Sequence, residues 1–398
     1  MSQPRILILG GGLAGLSYAV ALAHGNENVD ITLLEAHELR SGTPNPLDTR
    51  ASAVNLHSVQ LLSKWGLWDM LKPQAGAITE IHVSHQGHFG SALMSGEDVG
   101  ESSLGFVIEN HLLGRALMER AVELGVTIHA PVVCESLRRG VNGPAGITAE
   151  GEVHEAELVL LAAGVDPNWC HTLGIEVRAR EIGTRALSFN VVFAGTQSGR
   201  AFERFTPHGP LAVLPLPSTK RSEQRFNVVW SLPESASAEV LALEDEPFLE
   251  AFQEAFGWRL GRALATGTRS EWPLIRYRAL EQYRAGYLLV GNAAHTLHPV
   301  AGQGLNLSLR EAALLAGHAG QANEADGGIA GLAWIKPYLA SSLTEQSLVT
   351  ESTDFLATVF NRRGLALDMP RNASLALLDM VPPVRQFIAG WGVGRRRA

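Results

Sequence analysis

Three glycines near the amino terminus have the spacing of a dinucleotide-binding turn. Gly10, Gly12 and Gly15 form a G-x-G-x-x-G pattern between an apolar stretch and a helical one. The first glycine allows a tight turn, the second lets backbone N–H groups approach a pyrophosphate, and the third lets the helix pack closely on the strand. The amino terminus of that helix directs its positive dipole end to the phosphates. The pattern predicts dinucleotide contacts at Gly10, Gly12, Leu13, Ala14 and Gly15.

A carboxylate follows where the ribose of such a dinucleotide would lie. Glu35 ends the next apolar strand, residues 30–35, at the spacing that a βαβ unit requires. A carboxylate there can accept hydrogen bonds from both ribose hydroxyls. A glycine-rich turn with a solvated glutamate is the alternative, and the strand, turn, helix and strand context disfavours it. FAD and NAD share an ADP half, so this fingerprint alone predicts a dinucleotide without choosing between them.

A second glycine-rich segment lies near residue 300. A predicted strand over 287–291 ends in Gly291-Asn292, and Pro299-Val300-Ala301-Gly302-Gln303-Gly304 then starts a helix. The segment resembles the second flavin motif of the single-component flavoprotein aromatic hydroxylases. In that family the turn presents backbone N–H groups to the flavin edge where negative charge develops on reduction. The resemblance implies FAD as cofactor, with contacts from Gly291, Asn292, Gly302, Gly304, Leu305 and Asn306.

Two arginines add weaker matches to the same family. Arg50, in Asp48-Thr49-Arg50, resembles the family's arginine near the flavin entrance, and Arg115 resembles the arginine of a helix that crosses the cofactor. A single arginine carries little information, and an ordinary surface position is the alternative for each. The resemblance implies that both contact FAD.

The segment 199–216 resembles the substrate sheet of the ubiquinone-biosynthesis hydroxylases, and the segment 254–261 resembles the same branch, so that the resemblance covers essentially the whole chain. It implies an FAD-dependent monooxygenase that uses NAD(P)H and O2 to hydroxylate a polyprenylated phenol of the 2-polyprenyl-6-methoxyphenol type. It also implies contact with other quinone-biosynthesis proteins. The alternatives are a hydroxylase of the same fold acting at another ring position or on a soluble aromatic, and a catalytically idle flavin-binding scaffold.

The chain departs from the family at two positions. Members usually carry Asp-Gly after the strand that corresponds to 158–162, in a motif linked to the flavin and to reduced pyridine nucleotide, but here Ala163 precedes Gly164. Asp166 could substitute only if the turn shifts by about two residues. At the ribityl motif Asn292 replaces the usual aspartate, which keeps a hydrogen-bond acceptor and loses the charge. We expect slow or partner-dependent reduction by NAD(P)H.

Composition excludes several other classes. The 398 residues carry a net charge of -8, which argues against nucleic-acid binding, and two cysteines are too few for a disulfide framework or a zinc site.

If 81–89 is one strand, His82 and His88 share a face and His85 lies on the other, so we expect no metal site. The early glycine triplet argues against reading 5–23 as a secretory signal. A cytoplasmic protein is expected.

The order of predicted elements indicates an α/β fold in which a Rossmann-like FAD-binding domain is interleaved with an antiparallel-sheet substrate domain, followed by a helical carboxyl terminus. Predicted strands at 188–194, 211–216 and 226–231 supply the second sheet. We assign residues 1–75, 100–182 and 276–345 to the FAD-binding domain, 76–99 and 183–275 to the substrate domain, and 346–398 to the helical region.

The sequence names no catalytic base, although His208, His295 and His298 lie near the motifs. Phe387, Ile388, Trp391 and the three arginines at 395–397 could rest on an anionic inner-membrane surface, which predicts peripheral membrane contact. A frayed, solvated tail is the alternative.

Overall fold

The described part of the chain is an α/β structure built on two large sheets. The computed structural model describes residues 3–26, 28–38, 47, 49–88, 90–141, 143–195, 199–218, 222–297, 302–322, 328–361, 386, 389–390 and 392–394. In chain order the strands are β1 (Arg5–Leu9), β2 (Asp30–Leu34), β3 (Ala51–Asn55), β4 (Gly76–Ile78), β5 (Glu80–His85), β6 (Ser91–Ser95), β7 (Gly105–Glu109), β8 (Thr127–His129), β9 (Cys134–Arg139), β10 (Pro144–Thr148), β11 (Val153–Glu155), β12 (Leu158–Leu161), β13 (Val177–Ala194), β14 (Arg200–Thr206), β15 (Gly209–Leu216), β16 (Glu223–Pro233), β17 (Ala263–Thr266), β18 (Ser270–Ala279), β19 (Tyr283–Arg284) and β20 (Tyr287–Leu289). The α-helices are α1 (Leu13–Gly25), α2 (Leu56–Lys64), α3 (Trp68–Leu71), α4 (Asn110–Glu123), α5 (Pro167–Thr172), α6 (Glu234–Leu241), α7 (Asp245–Phe256), α8 (Gln303–Ala319) and α9 (Leu332–Asn361).

The first sheet has the strand order β19-β20-β12-β1-β2-β8, and every neighbour pair except β19–β20 is parallel. Strands β1, β12 and β20 are apolar along most of their length because both faces of this sheet are covered. Helices α1, α4 and α8 pack together on one side of it. Since parallel strands end at one edge, this sheet gathers the segments that follow β1, β2, β12 and β20.

The second sheet has the order β17-β13-β16-β15-β14-β5-β6, with β18 also pairing with β13, and is antiparallel except between β14 and β5. One face packs on α7 through an aromatic core whose rings meet mostly edge to face. That core consists of Phe189, Phe193, Phe202, Phe226, Phe248, Phe252 and Phe256. We call this the outer face and the opposite side the inner face.

A small sheet and the two long, paired strands β13 and β18 connect the two large sheets. Strands β3, β7 and β4 form the small sheet. Strand β13 runs without interruption from Val177 to Ala194, and its pairing with β18 shifts register between Glu181 and Arg185. Gly183 lies inside that shift with φ +66°.

The structure confirms the predicted fold class, and residues 110–123 and 158–161 form the helix and strand expected there. The predicted domain boundaries stay a prediction. The condition of one strand over 81–89 is not met, because β5 ends at His85 in a turn. Phe89 lies outside the described residues. The turn brings the rings of His85 and His88 within 4.3 Å of each other, while His82 lies against Phe202.

Candidate functional site

The glycine turn connects β1 to α1 with two positions that no side chain could occupy. Gly10 has φ +107°, and a Cβ there would lie 2.8 Å from the backbone of Ala162 and Ala163. A Cβ on Gly15 would lie 1.9 Å from the carbonyl oxygen of Gly10. The first glycine therefore makes the turn against the neighbouring strand end, and the third lets α1 pack onto its own turn.

Gly12 differs from these two because space around it is open. A Cβ on Gly12 would meet nothing within 4 Å. Gly12 is the N-cap of α1, and among the described residues no side chain caps the first N–H groups of that helix. Open space beside uncapped helical N–H groups fits the pyrophosphate of a dinucleotide, which supplies the missing acceptors. This chain's glycine turn therefore has the cradle that FAD requires.

Glu35 lies across the turn from Gly11. Its Oε2 accepts a hydrogen bond from the Gly11 N–H at 2.5 Å, and its Oε1 accepts one from the His37 N–H at 2.9 Å. The structure therefore fixes the carboxylate beside the turn, at the end of β2. His37 Nδ1 also lies 3.0 Å from Oε1. Two carboxylate oxygens have about four acceptor sites, so capacity for a ribose hydroxyl is left after these contacts.

The second glycine-rich segment reaches the same edge. Gly291 follows β20 with φ +57°, and a Cβ on it would lie 3.0 Å from the Cβ of Ala14 in α1. Asn292 is exposed in the short 3-10 helix that follows. Residues nearly 280 positions apart in the sequence thus lie side by side, as the resemblance to flavoproteins implied.

The amino terminus of α8 is held by Asn306. Gly302 caps α8 with φ +57°, in the left-handed region. The Asn306 side chain donates to the carbonyls of Ala53 and Gly302, at 2.9 and 2.8 Å, and accepts from the Asn55 N–H and the Ser58 hydroxyl. Its side chain is thus fully used within the protein, so Asn306 positions the helix terminus. Gly304 borders open space, as Gly12 does.

The remaining predicted contacts are distributed around this edge. Leu13 packs near Gly114 of α4, which places that helix beside the glycine turn. Arg115, the next residue, is exposed, and so is Arg50, whose guanidinium lies 5.9 Å from the ring centroid of Trp272. Leu305 packs against the core between α1 and α8. FAD contacts by each of these residues stay a prediction.

A buried polar network supports the edge from behind. Glu311 of α8 accepts hydrogen bonds from Ser342 and Gln346 of α9, at 2.9 and 2.6 Å, and its other partners include Tyr18 and His295. Burial would raise the pKa of Glu311, but the charge of His295 and the hydrogen bonds together lower it. Glu311 therefore joins α1, α8, α9 and the segment after β20 as a buried anion.

Asp166 does not stand in for the missing Asp-Gly. Its Oδ1 accepts a hydrogen bond from the Asn168 N–H at 2.9 Å, and it is the N-cap of α5. The aspartate therefore performs a local capping role. Ala163 is exposed after β12, and Gly164 has φ +86°.

The inner face of the second sheet carries polar residues that no sequence motif indicated. Asn190 donates to the Thr49 carbonyl at 2.8 Å, and Asn227 donates to Asn190 at 2.8 Å. Arg225 forms a buried ion pair with Glu109 at 3.0 Å. These contacts join the inner face to the segment around Arg50. Period-2 alternation could have suggested this face, but only the strand pairing shows that its polar residues are neighbours.

Glu203 lies on the same face and was also missed. Among the described residues no donor reaches its buried Oε1. Burial raises the pKa of Glu203 to about 7. Asn227 Oδ1 is a second buried acceptor without a partner in the described part of the chain. The inner face thus offers acceptor atoms to a bound molecule.

The histidines predicted near the motifs have separate environments. His208 is exposed in the turn between β14 and β15, His295 is buried beside Glu311, and His298 lies outside the described residues. Within the described ranges no group of three or more His, Cys, Asp or Glu side chains could hold a metal ion. Phe387, Ile388, Trp391 and 395–397 also lie outside the described residues.

Comparison with known proteins identifies close relatives of this arrangement. Residues 3–324 match the FAD binding domain family. The chain is 30% identical over 397 residues to ubiquinone hydroxylase UbiL of Rhodospirillum rubrum, covering 98% of this chain and 89% of that protein. It is 30% identical over 322 residues to the 3-demethoxyubiquinol 3-hydroxylase of Escherichia coli, covering 78% of each.

The fold is shared with a solved monooxygenase structure. The p-nitrophenol 4-monooxygenase PnpA from Pseudomonas putida superposes with a TM-score of 0.77 at 19% identity, over 99% of this chain and 98% of that one. No helix within the described residues is both long and apolar enough to cross a membrane.

Proposed function

We propose, from the premise that this chain belongs to the family of FAD-dependent aromatic-ring monooxygenases, that it hydroxylates the ring of a polyprenylated phenol in ubiquinone biosynthesis. The family membership makes it an enzyme with FAD as cofactor and NAD(P)H as reductant. The substrate that we propose is of the 2-polyprenyl-6-methoxyphenol type. The relatives named for ubiquinone chemistry support that substrate class.

One observation carries the proposal. The glycine turn, Gly291 and the amino terminus of α8 lie at one edge, and the inner face of the second sheet meets that edge through the hydrogen bond from Asn190 to Thr49. A cofactor at the edge and a flat ring on the inner face would therefore face each other. FAD bound at this edge would supply the redox chemistry, which is hydride uptake from NAD(P)H and oxygen transfer to the ring.

The protein's own residues have three tasks in this reaction. The uncapped N–H groups after Gly12 hold the pyrophosphate, and the α8 terminus fixed by Asn306 orients the flavin ring. The second task is to exclude water from the space between the two surfaces. The third task is to activate the ring by holding its hydroxyl in a form that donates electron density.

The test is deletion of the gene followed by analysis of quinone intermediates. We expect a 2-polyprenyl-6-methoxyphenol to accumulate, and the purified protein with FAD, NADPH and O2 to convert it to a product with one added oxygen. Normal quinone levels without such a phenol, in a cell with no second hydroxylase of this family, would contradict the proposal.

Peripheral contact with the cytoplasmic side of the inner membrane, and contact with other quinone-biosynthesis proteins, belong to the same proposal. A polyprenyl tail requires access from lipid, and each buried methylene contributes about 0.8 kcal/mol. Binding should therefore strengthen with prenyl length, which titration with a series of tail lengths measures.

A catalytically idle flavin-binding scaffold is the second candidate, and the capping role of Asp166 favours it. The two candidates differ in anaerobic NADPH consumption, which only the enzyme performs. Ala163→Asp restores Asp-Gly before an unchanged Gly164, at an exposed position that tolerates a carboxylate. We expect this variant to consume NADPH faster than the wild type, and Asp166→Asn, which keeps a capping side chain, to match the wild type.

A further inference from the structure

The side chain of Glu203 lies on the inner face of the second sheet. The evidence is that Phe202, its neighbour on β14, lies on the outer face. The ring of Phe202 packs edge to face on Phe256 of α7, at 5.3 Å between centroids. Successive side chains of a strand point to opposite faces, so Glu203 points away from α7. In addition to α7, helix α9 contacts this sheet, at β14 and β15.

The immediate neighbours of Glu203 are small and apolar. The residues opposite it on the adjacent strands are Val83 of β5 and Ala212 of β15. On its own strand Ala201 belongs to an apolar core with Leu216. A carboxylate oxygen that is buried and has no partner among the described residues is costly in such surroundings, and groups of this kind are concentrated at functional sites.

The inner face continues from Glu203 to the nucleotide edge. Ala212 and Leu214 alternate with outer-face residues of β15, Leu214 is opposite Asn227, and Asn227 is opposite Asn190. The Asn190 side chain then donates a hydrogen bond to the Thr49 carbonyl.

Beyond the segment of Thr49, Ala53 of β3 lies against Gly302 at the α8 terminus. A series of neighbouring residues therefore leads from Glu203 to the second flavin motif.

We propose that Glu203 is a catalytic residue that accepts the proton of the substrate's ring hydroxyl, an assignment that rests on the function proposed above. In this step the O–H bond of the phenol breaks, its electron pair stays on oxygen, and the proton moves to Glu203 Oε1. The carboxylate becomes neutral and the phenol becomes a phenolate, so charge is conserved and no other reactant is needed. The phenolate oxygen donates electron density into the ring carbon that accepts oxygen.

Burial narrows the difference in acidity that the proton transfer must overcome. A phenol has a pKa of about 10, far above that of an ordinary glutamate. Burial raises the pKa of Glu203 from 4.5 to about 7, which brings acceptor and donor closer together. Neither His208 nor His295 competes for this role, since His208 is exposed outside the sheet and His295 faces Glu311.

The test uses the FAD-loaded protein with a short-tailed probe, 2-methoxy-6-prenylphenol. The variant is Glu203→Gln, which keeps the shape and removes the basic oxygen. We expect a larger phenolate absorption band for the probe bound to the wild type than for the probe bound to Glu203→Gln. The rate of product formation should fall by about 100-fold in the variant, with a small change in KM. FAD content and anaerobic NADPH consumption should match the wild type.

Two further variants make the result specific. Glu203→Asp keeps a carboxylate on a shorter side chain and should restore part of the phenolate band. Glu239→Gln removes an exposed carboxylate of α6 and should behave as the wild type. An equal phenolate band and equal product rate in Glu203→Gln overturn the inference.

Failure of the proposed function gives a different result. If the wild type forms no product from any prenylated phenol, the proposed substrate is wrong. The phenolate band still decides the role of Glu203, because it reports proton transfer without turnover. A band that is larger in the wild type than in Glu203→Gln supports the inference, and a band absent from both overturns it.

Discussion

The nucleotide edge and the inner face of the second sheet are built by different means. At the edge, backbone atoms make the site: Gly12 leaves open space, and α1 presents N–H groups that no side chain caps. On the inner face, side chains from different strands make it, among them Asn190, Glu203 and Asn227. A backbone site needs glycine at fixed spacing and is therefore visible in a sequence, whereas a side-chain site becomes visible only when strand pairing brings its members together.

Gly12→Val should have the largest effect and should separate the two surfaces. The valine Cβ has room in the protein alone but occupies the space where the pyrophosphate would lie. We expect FAD affinity to fall by about 100-fold or more while the fold stays intact. Flavin absorbance and circular dichroism measure the two properties.

Gly317→Val is the matched control for this variant. Its Cβ also meets nothing within 4 Å, but it lies in the interior of α8. The control should retain FAD. Retention of FAD by Gly12→Val would show that the pyrophosphate does not occupy the assigned cradle.

Glu311→Ala should destabilise the support behind the edge. The substitution leaves Ser342, Gln346 and His295 without their shared acceptor, for an expected loss of about 3–5 kcal/mol in the free energy of unfolding. The pKa of Glu311 is lowered in the folded state. Its contribution to the free energy of unfolding is therefore present at pH values above the unfolded pKa of about 4.5, and it is lost as pH falls through the folded pKa.

Urea denaturation at neutral pH measures the effect, with Glu119→Ala as an exposed control. A loss no larger than that of the control would contradict the assignment of Glu311 as the centre of the network.

Glu203→Gln should raise the free energy of unfolding, whereas Glu311→Ala should lower it. The folded pKa of Glu203 is raised, so the wild type loses stability as pH rises from 4.5 to about 7, and the loss levels off above that range. The difference between the folded and the unfolded pKa corresponds to about 3 kcal/mol in the free energy of unfolding when Glu203 is fully ionised. We expect the variant to be more stable than the wild type by about 1–3 kcal/mol at about pH 8, and by less at about pH 5.

Thermal melts at the two pH values measure this difference. A variant that is less stable than the wild type at both values would mean that the carboxylate has a partner inside the protein.

Glu35→Ala should have the smallest effect on this scale. It removes an acceptor from the Gly11 N–H and, as we expect, from the ribose hydroxyls. FAD binding should weaken by about 1–3 kcal/mol without being lost, since charged hydrogen bonds contribute about that much. Titration of the apoprotein with FAD measures it, with exposed Glu38→Ala as control. An unchanged dissociation constant would remove Glu35 from the site.

Sequence alone therefore predicts the glycine turn, Glu35, the segment after β20 and the α/β class. It did not predict that the Asn306 side chain is used entirely for holding β3 and α8, because its four partners come from three separate segments. It also misplaced the β5 turn, since alternation persists beyond His85 while the backbone reverses. Glu203 was missed because nothing in its neighbours along the chain shows that β15 and β5 place apolar residues on both sides of it.

The long strand β13 has a mechanical consequence. It belongs to the second sheet through β16 and reaches past it along β18, whose end bonds to Thr296 beside the second flavin motif. Relative motion of the two surfaces must therefore bend this strand. The register shift between Glu181 and Arg185 leaves Ile182 and Gly183 outside the β13–β18 ladder, so bending there breaks none of its hydrogen bonds. We expect the strand to bend most easily at this joint, which would set where the two surfaces move relative to each other.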